Sequence, residues 1–218
     1  MNQRVADQAE RPSDIFTAGY LTVASIIQGV ALAALVQQLD AKQSSLDATS
    51  WVLTATTFMV IVVIWHEYLM MVLGYFWIPG LVDSVVPFAF AAGELFMAHF
   101  VVGNTRAWLL AYGATLAVGM TAWFVTRRQV SLHRDKNLDV LDTVGGQRLR
   151  VTLSAILTVL ALGGGLFYSW TGLQRAPLMV AVAALAAALA YSVCSVPYWS
   201  QIRAQLQTTS RIVSMPTE

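Results

Sequence analysis

Residues 51–101, WVLTATTFMVIVVIWHEYLMMVLGYFWIPGLVDSVVPFAFAAGELFMAHFV, read as two apolar segments folded back on each other at Ile78-Pro79-Gly80. Neither half contains Lys or Arg, and each is long enough to cross roughly 30 Å of hydrocarbon, which takes about 20 helical residues. Neither alternates apolar with polar residues, as the strands of a membrane barrel do. The stretch therefore predicts two membrane-spanning helices. It also carries His66, Glu67, Asp83, Glu94 and His99 in otherwise apolar surroundings. Ionisable side chains are costly inside a bilayer, so several of them close together mark a functional site by default.

The same signal recurs on both sides of this hairpin. Segments 16–37, 107–126, 151–170 and 177–199 are also free of Lys and Arg and of spanning length. The whole chain is 57% hydrophobic and 11% charged, far from the roughly 25% charged content of soluble domains. The expected fold is all-α, a polytopic integral membrane protein with six transmembrane helices. A polar segment at 1–15 precedes a single transmembrane domain at 16–199, and a polar tail follows at 200–218.

Basic residues set the orientation. Arg4, Arg11, Arg127, Arg128, Arg134, Lys136, Arg148, Arg150, Arg203 and Arg211 share one side of a six-span topology; only Lys42, Arg106 and Arg175 fall on the other. The positive-inside rule puts both termini in the cytoplasm, here of a cell with the protein in its inner (plasma) membrane. Trp51, Trp77, Trp108, Trp123, Trp170 and Trp199 fall at span ends, as in aromatic belts. A net charge of +1 without a basic stripe argues against a nucleic-acid partner. The one cysteine, Cys194, excludes an internal disulfide and any cysteine-based metal site. Asp14, after Pro12-Ser13, reads as the cap of the first helix. The first span, which follows a polar start with no cleavage-site pattern, reads as a retained anchor.

Within the first span, Ser25 and Gln28 are the polar residues near the centre, suited to a helix interface or a pore wall. In the hairpin, His66 and Glu94 lie about 13 and 15 residues from the turn. At about 1.5 Å per residue they differ by only about 3 Å in depth, within reach of each other. Pro87 lies between Asp83 and Glu94 on one face and deprives the helix of a backbone hydrogen bond. Spans four to six carry no acid or base and are rich in Ala, Gly, Leu and Val, which suits close packing and oligomer contact. They do not echo the polar hairpin, so no transporter-style repeat is expected. The loop at 127–150 carries Leu138, Leu141 and Val144 at three-residue spacing, the pattern of a short helix on the membrane surface ended by Gly145-Gly146.

Three acids and two histidines inside the spans, with no Lys or Arg beside them, admit several chemistries: a proton relay, a cation pathway, or a metal held by His and carboxylate. The metal reading, which would make the protein an integral-membrane metalloenzyme, stands as an alternative but lacks HxxxH or HExxH spacing, so no metal ligand, catalytic residue or cofactor is assigned. A further alternative is a hydrogen-bonded cluster that fastens the two helices, in a scaffold whose loop at 127–150 docks a cytoplasmic protein.

Ser13-Asp14 at the entry to span one, Trp65-His66 in span two and Pro87-Phe88 in span three together resemble the bacterial relatives of the lysosomal potassium channel. That resemblance implies six helices, cytoplasmic termini and a homo-oligomer around a pore lined by the first helix. Pro12 stands where the family signature has Phe, Ile15 where a small residue is usual, and Gly19 where a bulky apolar constriction is placed. The functional expectation is conduction or exchange of a small cation or proton. Its pathway would involve His66, Glu67, Asp83, Glu94 and His99, with Glu67 and Glu94 handling the charge and Asp83 collecting ions at the cytoplasmic mouth.

Overall fold

The computed structural model describes residues 3–75, 80–137 and 148–213, with side chains at 18–75, 80–135, 137 and 148–204. Among them run six long helices: α1 (Gln3–Ala41), α2 (Ala48–Gly74), α3 (Leu81–Phe100), α4 (Thr105–Leu132), α5 (Arg148–Leu166) and α6 (Pro177–Val213). Each contains a stretch long and apolar enough to cross a membrane, from Ala18–Ala41 in α1 to Pro177–Ala204 in α6. The all-α, six-span expectation therefore holds at the level of the helices.

Several starts and stops follow from local chemistry. Asp47 caps α2: its carboxylate accepts from the Ser50 backbone N–H at 2.7 Å and from the Ser50 hydroxyl at 2.6 Å. Those two bonds hold the Asp47 carboxyl below its ordinary range. Asn104 caps α4 through the Ala107 N–H at 3.0 Å. Pro177 opens α6, where a missing N–H costs nothing. Gly103 after α3 and Gly172 before α6 adopt φ of +82° and +74°, a conformation that favours glycine.

Two boundaries depart from expectation. Helix α1 begins at Gln3, so Asp14 lies within it and is not its cap. Helix α5 begins at Arg148, which brings Arg150 inside the fifth apolar helix as a buried residue. The absence of basic side chains from the spans is thereby overturned. Of the expected turn, Ile78 and Pro79 lie outside the described residues. So do Leu138, Leu141, Val144 and Gly145-Gly146 of the surface helix.

The helices form a ring. Helix α1 packs on both α2 and α3, α3 on α4, α4 on α5 and α2 on α6, while α5 and α6 touch more lightly. The α2–α3 pair, expected to be close neighbours, shares only a thin contact because α1 lies against both. Glycines permit the closest crossings. A Cβ on Gly93 of α3 would stand 2.2 Å from the Thr115 hydroxyl on α4, and one on Gly113 of α4 would stand 2.9 Å from the Leu162 backbone N of α5. Small residues of this kind let helices associate without a hydrophobic gain between them. The ends are tied as well: the Gln38 amide donates to the His99 carbonyl at 2.8 Å and Arg106 donates to the Gly165 carbonyl at 3.1 Å.

Candidate functional site

Two polar clusters are built inside this ring. The first gathers around Arg150, in the first turn of α5. Its guanidinium pairs with the Glu67 carboxylate of α2. It also donates to the Ser195 hydroxyl at 2.9 Å and to the Tyr191 hydroxyl at 3.0 Å, both on α6. The ring of Tyr198 lies 4.3 Å from the guanidinium carbon, a cation–π contact. Glu67 receives a second hydrogen bond from Trp199 Nε1 at 3.3 Å, at the same oxygen that Arg150 meets. Tyr198 joins Tyr75 through their hydroxyls at 2.5 Å. His66 packs edge-on to Trp199 with ring centres 4.4 Å apart.

The spacing of α6 explains its part. Tyr191, Ser195 and Tyr198 recur at intervals of four and three, so they share one helical face, and that face meets Arg150. A guanidinium presents five donors in a fixed fork, enough for a carboxylate, a hydroxyl and a phenol at once. Sequence reasoning placed Arg150 in a cytoplasmic loop and read α6 as plain scaffold; the polar face of α6 was the available signal.

The second cluster lies deeper and includes no base. Glu94 of α3 is 0% exposed and Gln28 of α1 is 4% exposed. The Gln28 amide reaches toward the Glu94 carboxyl, yet neither its polar atoms nor the two carboxyl oxygens meet a hydrogen bond of normal geometry. The Tyr68 hydroxyl on α2 is likewise buried without a hydrogen-bond partner, within electrostatic reach of Glu94 and of Tyr20 on α1. The rings of Tyr20 and Phe90 pack edge-on to Tyr68 at 5.8 and 5.7 Å. Buried polar groups nearly always find a partner, so a carboxyl, an amide and a phenol left unbonded together call for explanation.

Between the clusters lies a partly open cavity of about 170 Å³, lined by residues of α2, α3, α4, α5 and α6. Glu67 and Arg150 border it, and so do Tyr68 and Phe90. Tyr68 thus borders the cavity and also belongs to the Glu94 cluster through its hydroxyl.

The expected pathway residues divide accordingly. His66 and Glu67 face α6 and α5, while Glu94 faces α1, and no contact among the described residues joins His66 to Glu94. The depth count assumed a tight turn. Helix α2 ends at Gly74 and α3 begins at Leu81, which leaves His66 about 12 Å and Glu94 about 20 Å from their helix ends at about 1.5 Å per residue. Asp83 serves the start of α3, where its carboxylate accepts the Gly80 N–H at 2.7 Å. His99 is exposed beside the Phe100 ring, and the exposed Ser25 meets only the Trp65 indole N–H, at 3.5 Å. Among the described residues no group of three His, Cys, Asp or Glu side chains is placed to hold a metal.

Comparison with models of protein families, with characterised proteins and with solved structures gives no match.

Proposed function

We propose that this chain is an integral membrane protein, with both termini cytoplasmic, that moves a proton or small cation across the bilayer through the Glu94 carboxyl. One observation carries the reading: Glu94 is wholly buried, and among the described residues its oxygens meet no salt bridge and no hydrogen bond of normal geometry, the Gln28 amide only reaching toward them. A carboxyl in hydrocarbon is accommodated either as the neutral acid or with a cation at its oxygens, and both conditions make it an exchange point. Gln28 and Tyr68 supply an acceptor, donors and a hydroxyl at the same place, all unengaged. Tyr68 links that place to the cavity and thence to the Glu67–Arg150 end.

Glu67 takes a different part from the one the sequence suggested. With Arg150 and Trp199 on its carboxylate it carries a fixed counter-charge, so it anchors α2, α5 and α6 at one end of the cavity. The resemblance to the bacterial relatives of the lysosomal potassium channel is consistent with this reading. It adds the proposal that several copies assemble around α1.

Purified protein in liposomes holding a pH-sensitive dye tests the proposal. An imposed potential drives proton or potassium flux in wild type, and Glu94→Gln, which keeps shape and removes the exchangeable charge, abolishes it. Absence of flux in wild type, or full flux in Glu94→Gln, overturns the reading and favours a scaffold.

A further inference from the structure

The cavity has a size, a wall and a polar end that the exchange of a bare ion does not use. Its volume of about 170 Å³ is close to that of an engineered protein cavity, roughly 150 Å³, which stays dry and takes up benzene. That volume takes a single ring. Seven of the residues that border it are aromatic, and two more are Met71 and Met120. Aromatic rings pair preferentially edge-to-face, an arrangement already present between Tyr68 and Phe90 on this wall. Thioether sulfurs also favour ring edges.

Charge at the polar end excludes some ligands. Glu67 and Arg150 on the cavity border already pair with each other, so a charged ligand of either sign would have to compete with that pair for its partner. A neutral molecule leaves the pair intact. Glu67 keeps 28% side-chain exposure although Arg150 and Trp199 meet its Oε1 and the Tyr191 hydroxyl lies within hydrogen-bonding reach of the carboxylate as well. A carboxylate so placed accepts a hydrogen bond from a neutral O–H or N–H group, and charge-assisted bonds of this kind are the stronger ones.

We infer that the cavity binds a neutral single-ring aromatic molecule bearing one hydrogen-bond donor, with the ring among the aromatic side chains and the donor toward Glu67. The inference stands on cavity and lining, independently of whether Glu94 moves ions.

Phenol, benzene and cyclohexanol are the probes. They are added to the full-length protein in detergent while thermal unfolding is followed by circular dichroism. Phenol at about ten times its dissociation constant raises the midpoint by about 3 °C; benzene, without the donor, and cyclohexanol, without the ring, raise it less at equal concentration. Ala188→Leu and Gly119→Leu each fill the cavity from a different helix, and each removes the phenol shift while keeping the helical spectrum. Two variants guard against one failing to fold. No phenol shift in wild type overturns the inference, as does an equal shift in both filled variants or a benzene shift as large as that of phenol.

Discussion

Arg150 and Glu67, 83 residues apart in sequence, form an ion pair between α5 and α2, with side-chain exposures of 8% and 28%. The pair draws in Tyr191, Ser195 and Trp199 from α6. The consecutive helices α5 and α6 are therefore fastened to the remote α2 at one point, at one end of the cavity.

Arg150→Leu leaves the Glu67 carboxylate without its cation. The expected loss is about 3 kcal/mol, at the lower edge for a broken buried pair because Glu67 is partly exposed. Adding Glu67→Leu recovers most of it. Chemical unfolding of the four proteins in a double-mutant cycle measures the coupling. A single-mutant effect below about 0.5 kcal/mol, the value of a surface pair, would contradict the role assigned to this bridge.

Tyr68→Phe separates stability from transport. The hydroxyl is buried and unbonded, so its removal leaves stability unchanged or raises it by up to about 1 kcal/mol. The same change slows flux through Glu94 under the proposed function. Thermal melting and liposome flux on the same preparation check both halves.

Gly93→Ala sets a Cβ against the Thr115 hydroxyl at 2.2 Å, and α3 and α4 must part. The expected cost is about 2 kcal/mol, typical of overpacking, and Thr115→Ala in the same chain relieves most of it. Gly113→Ala meets the Leu162 side chain at 2.8 Å and also its backbone nitrogen at 2.9 Å, so trimming the Leu162 side chain gives only a partial rescue. Comparing unfolding midpoints of the two pairs distinguishes side-chain from backbone collision.

Asp47→Ala removes the cap of α2 at a cost of about 1 kcal/mol. The Ser50 bonds lower the folded-state pKa of this carboxyl, so its contribution is complete above the unfolded value of about 3.9 and is lost as pH falls through the lower folded value. Wild type and Asp47→Ala therefore differ in melting temperature at pH 6 and converge at the acid end of a pH series.

Apolar length made the six helices legible, since about 20 uncharged residues admit few other folds. That Glu94 and Gln28 would stand as polar groups in apolar surroundings was legible too, and both are buried. The Arg150 bridge was hidden for a physical reason. A hydropathy reading ends a span at its first charge, whereas a guanidinium one turn inside a helix is stable when a carboxylate from another helix meets it. Partner choice was hidden likewise: adjacency in sequence suggested that α2 should face α3, but Gly93 lets α4 take the close contact on α3 and α1 covers both helices. Asp14 had the chemistry of a cap, and the helix simply starts eleven residues earlier, at Gln3.

The position of Arg150 also constrains how the chain is made. Helix α5 emerges from the ribosome with a guanidinium in its first turn, and that charge gains its counter-ion only when α2 is already in place. Tyr191, Ser195 and Trp199 complete the coordination only after α6 arrives. The charge is thus neutralised by helices on either side of it in order of synthesis, one made long before and one immediately after.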